Sequence, residues 1–157
     1  MILPLLLVLQ TTPVAPIAKG TALPPPASEE AGVLAPIDAV FAAFEAGDAA
    51  AMLKHVYPDG RVTAVGKRPD GQTGVRQSSF TEFAKRVTPE QRFRERISSP
   101  AIEIDGDVAM VWAPFTVHVA GKLESCGYDL FDLVRENGSW KIMNVTFSSR
   151  TTGCEAQ

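Results

Sequence analysis

The chain has 157 residues, a formal net charge of −3, two histidines and two cysteines. That length suits one domain with a proper core. The mild acidity leaves no basic footprint for nucleic acid, and no His/Cys cluster has zinc spacing, so neither a metal nor another cofactor is expected.

Residues Met1 to Leu9 are nearly all apolar, but the run is too short for a membrane span. It suits the apolar part of a secretory signal, with small-residue cleavage points near Ala18 or Ala22, although no Lys or Arg precedes it. Residues 1–22 are read as signal peptide, 23–32 as a stiff linker around Pro24, Pro25 and Pro26, and 33–154 as the folded domain. An exported, periplasmic or secreted protein follows, with no stable membrane insertion.

The first helix is expected over Glu30–Ala46, because Val33, Ile37, Val40, Phe41 and Phe44 recur at helical spacing. Gly47 stops it, and Asp48 caps a second helix from Ala49 to about Val56. Tyr57-Pro58-Asp59-Gly60 reads as a turn, Arg61–Val65 as a short strand, and Lys67–Ser78 as a polar loop. Thr81 is expected to cap a third helix, Glu82–Val87, and His55 to sit favourably at a helix C-terminus.

Gln91–Ile104 reads as a strand interrupted at Pro100. A three-residue loop, Asp105-Gly106-Asp107, would bring Ile104 to Val108 and Ile102 to Met110, and Arg96 onto the face of Thr116. Three long strands follow: Val108–Val119, Lys122–Arg135 and Trp140–Ser149. Their turns are Ala120-Gly121 and Asn137-Gly138, the latter a strong type I′ hairpin signal because both central residues need positive φ.

Two-residue turns set a register. Glu136 then meets Ser139, Leu133 meets Ile142, Phe131 meets Asn144 and Asp129 meets Thr146. Across the other hairpin Trp112 meets Asp129, Thr116 meets Ser125 and His118 meets Leu123. On this register Met110, Trp112, Asp129, Phe131, Asn144 and Thr146 share the apolar face. A carboxylate there must be paired, neutralised or beside a cavity. Two readings stay open: a ligand pocket with an apolar wall and a few convergent polar groups, or a polar network tying three strands together. Asp129 is the candidate general base if burial raises its pKa, and His118, near a strand end, is a weaker candidate. The opposite face shows Phe115, Val117, Tyr128, Leu130 and Phe147, apolar enough for a homodimer contact.

Cys126 and Cys154 suggest a disulfide in an exported chain; two unpaired thiols are the alternative. Helices before an antiparallel sheet mean α+β.

The segments VFAAFEAGDAAAM (Val40 to Met52), HVYPDG (His55 to Gly60), DGDVAMVWAPFTVHVAGK (Asp105 to Lys122) and CGYDLFDLVRENGSWKI (Cys126 to Ile142), with the terminal Cys154, resemble the nuclear-transport-factor-2-like, or SnoaL-like, superfamily. Within it the likeness is to the bacterial group labelled putative lumazine-binding. The resemblance implies a cone-shaped α+β barrel, with N-terminal helices in the concavity of a curved, mainly antiparallel sheet and an apolar pocket at the wide end. It implies a small apolar or heteroaromatic ligand, bound without turnover. The alternatives are a lyase or isomerase of the SnoaL or ketosteroid-isomerase type using Asp129, or a dimerising module without ligand.

Overall fold

The computed structural model describes residues 27–67 and 71–154. The proposed signal peptide and the three consecutive prolines lie outside the described residues. Helix α1 spans Ala27–Ala46, three residues earlier than the apolar stripe required. Val33, Ile37, Val40, Phe41 and Phe44 are all buried, as their spacing predicts. The helix stops at Gly47, whose φ is +70°. Gly47 N donates to the Phe44 carbonyl at 3.2 Å and Asp48 N to the Ala43 carbonyl at 2.9 Å, the paired bonds that close a helix around a left-handed residue. Asp48 then caps α2, Ala49–Leu53, its carboxylate accepting from Ala51 N at 2.9 Å.

Strand β1 begins directly after α2 and runs Val56–Lys67, so the second helix is shorter and the strand far longer than expected. The Tyr57–Gly60 turn survives as a bulge inside that strand. Val56 pairs Ile142 and Arg61 pairs Asn144, leaving four residues opposite Met143 alone. Gly60 lies under the Met143 carbonyl, where a Cβ would collide with it. The expected polar loop is largely strand β2, Thr73–Ser79. Helix α3 is Phe80–Ala84, and its cap is Ser79 rather than Thr81. Ser79 Oγ accepts from Glu82 N at 3.1 Å while the Glu82 carboxylate accepts from Ser79 N at 2.9 Å, a reciprocal capping box.

The stretch read as one strand divides into β3, Arg94–Ile97, and β4, Ala101–Asp105, around Ser99 at φ +43° and Pro100. Both pair antiparallel with β5, Val108–Val119, which continues into β6, Lys122–Glu136, and β7, Ser139–Ser149. The sheet order is β2-β1-β7-β6-β5-β3, with β4 beside β3 along β5; among the described residues only the β1–β7 pair is parallel. The sheet curls around the helices without closing. Gly127 sits where it bends, with no room for a Cβ between the Ser148 carbonyl and the Phe115 ring. Arg94 faces His118 and Arg96 faces Thr116 across the ladder.

The register is the main correction. At the hairpin tips it is as expected: Glu136 pairs Ser139, Leu133 pairs Ile142 and His118 pairs Leu123. Beyond them each ladder carries one extra residue, Glu124 on β6 and Met143 on β7. An extra residue reverses the facing of everything past it. Trp112 therefore pairs Leu130, Asp129 lies between Ala113 and Phe147, Phe131 pairs Val145 and Asn144 pairs Asp132. The Asp105 loop likewise has two residues, so Ile104 meets Ala109 and Ile102 meets Val111. The core is Val33, Ile37, Met52, Val111, Leu133 and Ile142 with their neighbours.

Cys126 and Cys154 are bonded. Cys126 also bridges Arg150 through both backbone hydrogen bonds, each 3.0 Å. The C-terminal segment is thereby held across the end of β6, where Thr116 and Cys126 are both buried. At the other end Arg135 binds Asp107 through Nε at 2.7 Å, approaches Glu29 of α1 at 3.8 Å and lies over the Trp140 ring.

Candidate functional site

Between α1 and the curled sheet lies a cavity of about 540 Å³. All eight phenylalanines of the chain line it. Helix α1 supplies Phe41 and Phe44, the last residues of its apolar stripe and part of the buried core. Helix α3 supplies Phe80 and Phe83. Phe93 comes from the segment before β3, and its ring lies 4.7 Å from that of Phe44. Phe115, Phe131 and Phe147 stand on β5, β6 and β7 with their alternation pointing inward. Phe115 and Phe147 meet edge to face at 6.2 Å, a favoured aromatic geometry.

Three carboxyl groups interrupt these walls, Glu90 on the segment before β3 and two on strands. Asp129 is inward because it alternates with Phe131 and Leu133 along β6, and it is 2% exposed. Its Oδ2 is buried with no hydrogen-bond partner among the described residues. Burial pushes its pKa up to about 8. Glu95, on β3 opposite Val117, also lines the cavity. It keeps some exposure as a residue, yet burial, with the Asp129 charge adding, pushes its pKa well above the ordinary carboxyl value. Among the described residues, neither carboxylate forms an ion pair. Near neutral pH such a group is largely protonated and can both donate and accept a hydrogen bond.

The predicted site residues divide. Asp129 and Phe131 line the cavity. Met110, Trp112 and Thr146 are exposed on the convex face instead, Trp112 at 45% and stacked on Tyr128 with ring centroids 5.1 Å apart. Asn144 joins strands: its Oδ1 accepts from Arg61 N at 3.0 Å, and its side chain reaches Asp132 at 3.5 Å. The physical reason in each case is the extra residue in the ladder. The same reversal moves Phe115, Val117 and Phe147 from the presumed outer face to the cavity wall, leaving Tyr128 and Leu130 outside. His118 borders a separate recess with Arg92 and Arg94, its Nδ1 buried and without a partner among the described residues. His55 offers its backbone carbonyl to Ile142 N at 3.0 Å.

Glu95 escaped the sequence reading. The available signal was its place between Phe93 and Ile97, an acid at the centre of an inward-facing apolar alternation.

The sequence matches the family described as putative lumazine-binding over residues 28–148. Among proteins of curated function none matches significantly. Several solved structures share the fold. A protein of unknown function with a cystatin-like fold from Nostoc punctiforme is 13% identical, with 81% of this chain and 95% of that chain covered and a TM-score of 0.64. The beta subunit of a putative aromatic-ring-hydroxylating dioxygenase from Novosphingobium aromaticivorans is 13% identical, with 79% and 90% covered and a TM-score of 0.63. A nuclear-transport-factor-2-like protein of unknown function from Silicibacter pomeroyi is 21% identical, with 78% and 97% covered and a TM-score of 0.57. At these identities the likeness concerns the fold.

Proposed function

Because the chain belongs to the family described as putative lumazine-binding, within the nuclear-transport-factor-2-like superfamily, we propose that it is an exported binding protein for a small apolar or heteroaromatic molecule. The observation that carries this reading is the phenylalanine-lined cavity. Its volume of about 540 Å³ falls within the roughly 300–1,000 Å³ typical of ligand sites, and a few polar groups interrupt an otherwise apolar wall. Asp129 and Phe131 are the ligand contacts retained from the sequence reading, joined by Glu95. The Cys126–Cys154 bond supports export, since such bonds persist in oxidising compartments. The exposed Trp112–Tyr128 stack supports a homodimer through the convex sheet face.

The test is calorimetric titration with a panel of flat aromatics that includes lumazine, repeated on Val117→Trp, which brings an indole into the cavity wall. Saturable binding lost in a folded Val117→Trp protein is the expected result. Binding unchanged in that variant, or no saturable binding by any member, overturns the reading.

A second reading has its own observation. A buried carboxyl with a pKa raised to about 8 suits a general base working near neutrality. On this reading Asp129 takes a proton from carbon beside a carbonyl, as in a lyase or isomerase. Turnover of a carbonyl substrate, followed by exchange of that proton with solvent deuterium, should vanish in Asp129→Asn.

A further inference from the structure

We propose that the ligand of the phenylalanine-lined cavity is a hydrophobic amine, held as its ammonium ion between Asp129 and Glu95. The inference rests on the cavity being a ligand site and names the chemical class that site selects.

Three observations carry it. Of the three carboxyls on the cavity wall, Asp129 and Glu95 stand on strands, and no ion pair forms on either among the described residues. Asp129 Oδ2 is sealed from water and has no hydrogen-bond partner among the described residues, and a buried polar atom in that state costs stability until a partner arrives. The rest of the wall is largely apolar and includes every phenylalanine of the chain, and aromatic faces attract a desolvated cation. A primary ammonium on an apolar body supplies what each part lacks. Its N–H groups can serve both carboxyls, its charge permits a carboxyl to ionise, and its hydrocarbon covers the rings. A neutral ligand could fill the same volume and satisfy Oδ2, but it would supply no counter-ion to a carboxyl as it ionises.

Charge balance makes the idea specific. Empty, Asp129 is largely protonated at neutral pH, its pKa pushed up to about 8 by burial, and Glu95 is pushed up by burial and by the Asp129 charge. As the ammonium enters, a carboxyl proton leaves to solvent and one carboxylate pairs with the cation. Binding should therefore release about one proton near pH 7 and tighten as pH rises from 6 to 8. The other titratable side chains on the cavity wall are Glu90 and Arg92, both on the segment before β3; α1, α3, β1, β5 and β7 contribute none. Burial is the largest influence on both acids, and no cation lowers either.

The experiment compares two probes of one shape, 2-naphthylmethylamine and 2-naphthylmethanol. Each is titrated calorimetrically into the disulfide-bonded protein at pH 6, 7 and 8, in two buffers of different ionisation enthalpy. The expected result is amine affinity at least ~10-fold above the alcohol at pH 8, proton release with the amine only, and loss of both effects in Asp129→Asn. Equal affinity of the two probes, or tighter binding of the alcohol, would sink the amine while leaving the cavity a ligand site. Binding of neither probe would remove the amine and the ligand site together. The native-protein comparison decides the matter even if Asp129→Asn fails to fold.

Discussion

Asp129 ties the stability of the fold to pH in a direction opposite to that of most carboxylates. A carboxylate favoured in the folded state has a lowered pKa and stabilises the protein above the acid range. Asp129 is raised instead, from an ordinary 3.8 to about 8, by burial. Between those values the folded protein keeps a proton that the unfolded chain has released. Stability is therefore greatest at the acid end of that window, falls as pH rises through it, and levels off above about 8. At about 1.4 kcal/mol per pH unit, the window is worth on the order of 5 kcal/mol, a large share of the 5–15 kcal/mol by which domains are stable. Glu95 is raised too and acts in the same direction. Glu82 and Glu90 are lowered, by their bonds to Ser79 and to Thr88 respectively; they titrate below the range that matters here.

The assay is equilibrium urea unfolding at several pH values from 5.5 to 8, with the disulfide intact, on the native chain and Asp129→Asn. The native chain should lose at least about 1 kcal/mol per pH unit over the middle of that range. Asparagine has no proton to release, so the variant should lose about 1.4 kcal/mol per unit less and overtake the native protein near pH 8. A native profile that is flat or rises over this range refutes the burial argument. So does a variant that keeps the full slope.

The inward-outward assignment can be checked by truncation. Leu133→Ala, at a site with no exposure, should cost about 2–5 kcal/mol, while Trp112→Ala on the convex face should cost no more than about 1 kcal/mol; comparable losses in thermal unfolding would contradict the register. Replacing Cys126 and Cys154 by serine opens a link across 28 residues and should cost about 3–4 kcal/mol in the chain-entropy account, whereas a difference under about 1 kcal/mol in denaturant unfolding would say that the terminal segment holds without it. Gly127→Ala should destabilise by about 1–3 kcal/mol through its collision with the Ser148 carbonyl, and a native-like melting temperature would show that the bend has slack.

What could be read in the sequence follows the chemistry of each element. The first helix was legible because five large apolar side chains at helical spacing have one way to be buried together. The hairpin tips were legible because Asn137 and Gly138 both take positive φ, as do Ala120 and Gly121. Strand β2 was not, since it lies at the sheet edge with most of its side chains exposed, and an edge strand with little to bury looks like a loop. The Ser79–Glu82 capping box was present in the letters and was passed over for Thr81.

The site divides along a single physical line. Alternation within a strand is set by backbone geometry and survives whatever the neighbouring strand does, so Asp129, Phe131 and Leu133 stay on one face of β6 under any register. Pairing across a ladder depends on every residue between the turn and the pair. One bulge at Glu124 and another at Met143 leave no composition signature, yet each reverses all that lies beyond it. The cavity residues inferred along β6 are therefore at the cavity, and those inferred by crossing to β5 and β7, Met110, Trp112, Asn144 and Thr146, are not. The two bulges act together. They turn Phe115 and Phe147 inward beside Asp129 and send the tryptophan of β5 out to the convex face, which leaves a buried acid among phenylalanines, without the indole of Trp112, the amide of Asn144 or the hydroxyl of Thr146 beside it.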